Sequence, residues 1–331
     1  MIITRTPFRV SFFGGGTDYH QWFQSHGGSV LSTTIDKHCY ITCRQLPPFF
    51  EHKHRIVYSK IESVKSTQEI EHPSVRACIN YIGGEQGYEI HHDGDLPARS
   101  GLGSSSSFTV GLLNALYGMN GKMSSKEFLA KDAIYVEQNL IGENVGFQDQ
   151  VAAAFGGLNK IEFNKNGDFS VNPVILSNTR RDELNDHLML FFTGVSRIAS
   201  TVADAQIKNI ENRHRELTIM QSMVDEAISI LQDSTDSILS FGHLLHESWM
   251  LKRTLSEKVS TTEIDEIYQS AIKAGAVGGK LLGAGGGGFL LIFAAPKNQA
   301  AIRQALTGLV YVPFRFDDSG SRVALYQPNG L

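Results

Sequence analysis

The sequence predicts an α+β protein. Strand-like segments dominate the first ninety or so residues, and a glycine- and serine-rich loop opens a helix only after them. A long helical stretch then runs from Ala199 toward Ala274, and strands return near the end. This order does not repeat a βα unit, so a doubly wound parallel sheet is not expected. The 331 residues suffice for one large or two moderate domains with real cores.

Ile2 to Phe13 reads as a strand that runs into Gly14-Gly15-Gly16-Thr17-Asp18. The glycines end it and expose backbone N–H groups, either as a plain turn or as part of a binding site. Arg9 inside the strand and Asp18 just beyond it fit the second reading. Val30 to Arg44 is a second strand, broken by Pro47-Pro48, and Arg55 to Ser59 and Tyr88 to His92 are short ones. Val75 to Ile82 is a short helix. Cys39, Ile41 and Cys43 alternate along a strand and so share a core face. Three cysteines make no disulfide framework, and none has zinc spacing. His52-Lys53-His54 and His91-His92 read as surface loop.

Leu96-Pro97-Ala98-Arg99-Ser100-Gly101-Leu102-Gly103-Ser104-Ser105-Ser106-Ser107 precedes an apolar helix, Phe108 to Tyr117. The glycines permit positive φ and close backbone approach, and a helix start offers N–H groups and partial positive charge to a phosphate. An ordinary serine-capped helix has the same composition. The next helix, Lys126 to Ile141, places Glu137 on the face of Ala130, Ala133, Ile134 and Ile141. A carboxylate there needs a salt-bridge partner or a cation. Asp149 stands between Gln148 and Gln150, which can orient it, although any Asp can cap a helix.

His187 to Thr193 is a strongly apolar strand, and Arg197 leaves its end. Leu217, Met220, Val224, Ala227, Ile228 and Leu231 form a packing stripe. Further helices run from Ile238 to Leu255 and from Ile264 to Ala274. Gly283, Gly285 and Gly288 satisfy G-x-G-x-x-G, but a helix precedes and a strand follows, the reverse of a dinucleotide fold. Lys280 is followed by Leu281, so no Walker A loop is present. Asn298 to Leu306 is a helix, and Val310 to Phe316 and Val323 to Tyr326 are strands.

A net charge of −4 gives no reason to expect nucleic acid or an anionic membrane as partner. No apolar run approaches the roughly 20 residues that span a bilayer. The start is strand-like rather than a signal peptide, so a cytoplasmic location is expected.

Together the three loops resemble the motifs of the GHMP small-molecule kinases, and the resemblance covers nearly the whole chain. The matching stretches are Pro7 to Tyr19, Leu96 to Ser107 and Lys280 to Phe289. Within the family, Phe12 to Asp18 and Leu96 to Leu116 are most similar to the bacterial heptose 7-phosphate kinases. The resemblance implies a ribosomal S5 domain 2-like domain over residues 1–175 and a ferredoxin-like domain over 176–331, with ATP and substrate between them. It implies that Arg99, Ser100, Gly101, Leu102, Gly103, Ser104, Ser105, Ser106 and Ser107 wrap the ATP phosphates. Ser105 and Glu137 would hold Mg2+. Asp149 would face the acceptor hydroxyl, as base or orienter, with Arg9 holding it. Gly15, Gly16, Thr17, Asp18, Gln148, Arg197, Gly285 and Gly286 would contact the substrate. The implied reaction is phosphorylation of a heptose 7-phosphate at C1, with Arg197, Arg99 and Arg44 as candidate cations for the 7-phosphate. A kinase for another sugar, of fucose or galactose type, and a non-catalytic binding regulator are the alternatives.

Overall fold

The structure, a computed structural model, describes residues 1–84, 86–98, 100–194, 199–233 and 235–327. In chain order its strands are β1 (Ile2–Phe13), β2 (Gly28–Gln45), β3 (His54–Val57), β4 (Ile61–Val64), β5 (Tyr88–Gly94), β6 (Asn159–Phe163), β7 (Phe169–Pro173), β8 (Leu188–Phe192), β9 (Gly278–Leu281), β10 (Phe289–Phe293), β11 (Val310–Val312) and β12 (Arg322–Tyr326).

The first sheet has the order β12-β1-β2-β5-β3-β4, with β6 also paired to β2 and β7 to β6. All pairs are antiparallel except β3 with β5. β2 is rich in β-branched residues and long enough to serve two partners, pairing β6 with Gly28–Ser32 and β5 with Cys39–Gln45. The Ser104–Met119 helix lies across β1 and β2. Gly111 permits that approach: a Cβ there would stand 2.8 Å from Thr6 Oγ1, and its carbonyl accepts a bond from Thr4 Oγ1 at 2.9 Å.

The second sheet has the order β11-β8-β10-β9, all antiparallel. Counted along the chain these are its fourth, first, third and second strands. Helices fill the connections between β8 and β9 and between β10 and β11, which is the ferredoxin-like arrangement. Phe241, from the Leu239–Thr254 helix, joins the two sheets. Its ring stands edge-on to Phe12 at 5.4 Å and to Phe13 at 5.2 Å, and tilts against Phe293 at 5.9 Å. Such aromatic pairs add about 0.5–1.5 kcal/mol each beyond burial. They fix the end of β1, where the first glycine loop begins, against the second sheet.

Several expectations change. The last strand, β12, pairs with β1, and Phe316 bridges to Ile35, so the chain crosses back over the division at residues 175 and 176. The predicted Lys126–Ile141 helix is α-helical only to Tyr135 and widens to a π turn over Val136–Ile141. The helical stretch from Ala199 breaks at a 3-10 segment, Ile210–Arg213. The short strand β9 directly precedes the third glycine loop, and still no helix follows it. His54 is buried on β3, and His91 and His92 lie on β5 rather than in a surface loop. Cys39, Cys43 and Cys78 are buried and free.

Candidate active site

The three glycine loops meet where the two sheets face each other. Arg9, on β1, donates from Nε to Asp149 Oδ1 at 2.8 Å and from Nη1 to the Gly101 carbonyl at 2.7 Å. Its Nη2 is 2.7 Å from the same Asp149 oxygen. One guanidinium therefore ties the serine loop to the first turn of the Gln148–Phe155 helix. Because both bonds end on Oδ1, Oδ2 is left toward Gly103, where a Cβ would stand 3.3 Å from it. Gly103 takes a φ of +72° as the residue before the Ser104–Met119 helix, so its glycine identity serves both the turn and the close approach.

The second and third loops touch backbone to backbone. A Cβ on Gly101 would lie 2.5 Å from the Leu282 carbonyl oxygen, one on Gly283 2.5 Å from the Gly101 Cα, and one on Gly288 2.3 Å from the Ser100 carbonyl oxygen. The Phe289 N–H donates to that Ser100 carbonyl at 3.1 Å.

A cavity of about 230 Å3 opens at this junction. It brings together Arg9, Gly15, Gly16, Asp18, Gly101, Gly103, Ser104, Ser105, Ser106, Gln148 and Asp149 of the predicted site. Asp18 Oδ1 accepts from the Gly16 N–H at 2.9 Å, and burial, more than the nearby Asp149 charge, pushes its carboxyl up. Thr17 does not face the cavity: its hydroxyl donates to the Gly14 and Ser29 carbonyls and holds the first loop in shape. Ser107 bonds the Pro7 carbonyl, and Leu102 is core. Gly285 and Gly286 also turn away: a Cβ on Gly285 would meet the Val259 carbonyl oxygen, and the Gly286 N–H donates to it at 2.9 Å. Gly283 and Ala284 take their place in the wall. Arg44 bonds Glu89 and does not line the cavity. Arg99 and Arg197 lie outside the described residues. A second cavity, about 530 Å3, lies beyond Glu143–Val145 and holds none of the predicted site residues.

Glu137 is fully buried at the start of the π turn. Its Oε2 accepts from Ser106 Oγ at 2.9 Å and from Gln150 Nε2 at 2.5 Å, while Oε1 has no hydrogen-bond partner. Among the described residues no Lys or Arg pairs with it. Burial pushes its carboxyl up to about 7. The serine that meets it is Ser106, whereas Ser105 is exposed at the loop surface. Glu137 does not itself line the cavity, but Ser106 does, and an unpartnered carboxylate oxygen beside that hydroxyl is a pair of hard-oxygen donors of the kind Mg2+ takes.

The sequence reading missed Lys252 and Lys280. Both line the cavity and are buried. Lys252 donates to the Gly283 carbonyl and, at 3.4 Å, to that of Leu281, and Lys280 donates to the Phe12 carbonyl at 2.7 Å. The signal in the sequence was a lysine placed one helical turn from Trp249 on an otherwise apolar face.

Against this geometry, a model of the GHMP kinases N terminal domain matches residues 70–157, and one of the GHMP kinases C terminal matches residues 206–311. The chain belongs to the GHMP kinase family. It is a phosphotransferase whose phosphate donor is ATP. It is 30% identical over 315 residues to a D-glycero-alpha-D-manno-heptose 7-phosphate kinase of Campylobacter jejuni, with 92% of this chain and 93% of that one aligned. A solved structure of a Campylobacter jejuni putative sugar kinase matches with a TM-score of 0.72 at 26% identity, covering 97% of both chains. The structure of a D-glycero-D-manno-heptose 1-phosphate kinase from Bacteroides thetaiotaomicron shares the fold, with a TM-score of 0.81 over 99% of this kinase and 100% of that chain at 24% identity. No helix among the described residues is long and apolar enough to cross a membrane.

Proposed function

We propose that this kinase transfers the γ-phosphoryl group of ATP to the anomeric C1 hydroxyl of D-glycero-D-manno-heptose 7-phosphate, giving the 1,7-bisphosphate. The observation that carries the reading is the Asp149 carboxylate, clamped by Arg9 and facing the serine loop inside one cavity. The heptose assignment draws its support from the 30% identity to the Campylobacter jejuni enzyme of that name.

Phosphoryl transfer needs positioning and neutralisation of charge more than covalent chemistry. The backbone N–H groups of Gly101–Ser106, which run into the start of the Ser104–Met119 helix, cradle the triphosphate. Glu137 and Ser106, with Ser105 at the loop surface, are the residues that would hold Mg2+. Bound there, the ion would neutralise charge on the phosphates. Asp18, with the Gly15-Gly16 backbone, receives sugar hydroxyls. Arg9 fixes Asp149 through Oδ1, and Oδ2 takes the C1 hydroxyl proton as that oxygen bonds the γ-phosphorus and ADP departs. An anomeric hydroxyl is more acidic than an ordinary alcohol, so part of the Asp149 effect is orientation. A non-catalytic regulator of the same fold would be expected to lack one of these groups, yet Arg9, Asp149 and the serine loop are all in place.

Phosphorus NMR of the product made from ATP and heptose 7-phosphate tests both substrate and position. A new C1 phosphate signal beside the retained 7-phosphate is the expected result. Turnover only with an unphosphorylated sugar, or none at all, would refute the assignment.

A further inference from the structure

Lys252 reaches the cavity from the Leu239–Thr254 helix, and Lys280 from β9. Their exposures are 5% and 2%. Among the described residues neither forms an ion pair with a carboxylate, and both donate to backbone carbonyls. An ammonium buried without a counter-charge is unfavourable by several kcal/mol, and such groups are retained where something offsets them.

The groups facing the two lysines are Arg9 from β1, Asp18 from the first loop, Asp149 from the Gln148–Phe155 helix, and Glu143 in the adjoining wall. Arg9 adds a third cation, and Asp149 is already engaged with it. Burial pushes Asp18 toward its neutral form. Beside the lysines, Ser11 Oγ and Gln148 Oε1 line the same cavity, buried and without hydrogen-bond partners. The wall therefore sets two buried lysines that have no carboxylate ion pair beside two polar atoms awaiting bonds, a match for an anionic, hydroxyl-bearing ligand.

Building on the kinase reading above, we propose that Lys252 and Lys280 form a receptor for a terminal phosphate group inside the cleft, with Ser11 and Gln148 bonding the hydroxyls next to it. That phosphate is either the one carried by the acceptor sugar or the γ-phosphate of the nucleotide. Burial lowers both lysines, Lys252 to about 8, so an arriving dianion restores the protonated forms.

Calorimetric titration of the full-length protein and of Lys252→Met and Lys280→Met uses two probe pairs. One is heptose 7-phosphate against heptose, and the other is AMP-PNP against ADP, both with Mg2+. Each variant is expected to weaken the phosphate-bearing member of one pair by about tenfold or more, leaving its counterpart within about threefold. Loss in the sugar pair assigns the acceptor phosphate, and loss in the nucleotide pair assigns the γ-phosphate. Equal weakening of both members, or no weakening, overturns the receptor. If wild-type protein binds no heptose 7-phosphate, the function above fails, and the nucleotide pair alone decides the receptor. Should the variants not fold, unmodified protein decides: titration at pH 8 in buffers of different ionisation enthalpy should show proton uptake with the phosphate-bearing probe and not its counterpart. Equal uptake, or none, overturns the receptor.

Discussion

Replacing Glu137 by glutamine separates a structural acid from a metal-holding one. The side chain is fully buried, and burial raises its carboxyl to about 7 from the ordinary 4.5. Below about pH 4.5 the folded and unfolded chains both hold the proton. Between 4.5 and 7 the unfolded chain releases it while the folded chain does not, so stability falls as pH rises. Above 7 the loss levels off at about 3 kcal/mol. Glutamine removes that penalty but places an NH2 where Oε1 has no partner, which returns about 1–2 kcal/mol. The metal-free Glu137→Gln protein should therefore be about 1–2 kcal/mol more stable than wild type at pH 8, with a melting midpoint higher by a few degrees. Near pH 4.5, where the ionisation penalty is absent, the sign should reverse and the variant should be about 1–2 kcal/mol less stable than wild type, and turnover with Mg2+ and ATP should fall by about a hundredfold or more. Thermal melts with chelator at both pH values, beside steady-state turnover, measure all of this. A variant destabilised equally at both pH values, or one with normal turnover, would show that Glu137 is only a hydrogen-bonded core acid.

Asp149→Asn should lose about two to four orders of magnitude in turnover with ATP affinity nearly unchanged, as read by steady-state kinetics beside nucleotide titration. Gly101→Ala must hold a φ of +83° with its Cβ 2.5 Å from the Leu282 carbonyl oxygen, so it should part the second and third loops and lose turnover by about a hundredfold. Gly308→Ala, with nothing within 4 Å of its Cβ, should match wild type in the same assay. Lys252 holds its proton less tightly folded, at about 8, than unfolded, at 10.5. Ligand-free stability should therefore gain up to about 3 kcal/mol from this group as pH rises from 8 to 10.5, and Lys252→Met should remove that slope in denaturant titrations.

Motifs that act through local backbone geometry were legible in the sequence. The serine loop opens the Ser104–Met119 helix and lines one cavity with the glycine turn after β1, and the Arg9–Asp149 contact, which the family resemblance implied, lies there too. Helical phase was less so: a small rotation at the start of the Ser104–Met119 helix decides whether Ser105 or Ser106 meets Glu137, and the π turn shifts the acid again. Which glycines of a run face the ligand depends on what packs behind them. Val259, distant in sequence, turns Gly285 and Gly286 away and leaves Gly283 and Ala284 in the wall. Lys252 lies outside any motif, and Lys280, although it opens the third one, has no local mark of its role; the placement of both follows from the contact between sheets, fixed by Phe241 against Phe12 and Phe13. The return of β12 to β1 is likewise a long-range pairing with no local mark.

The most direct measurement is a crystal structure with AMP-PNP and Mg2+ bound. The triphosphate should lie on the backbone N–H groups of Gly101–Ser106, at the start of the Ser104–Met119 helix, with the ion at Glu137 and the γ-phosphate facing Asp149. A triphosphate seated elsewhere, with the serine loop untouched, would contradict the account at its root.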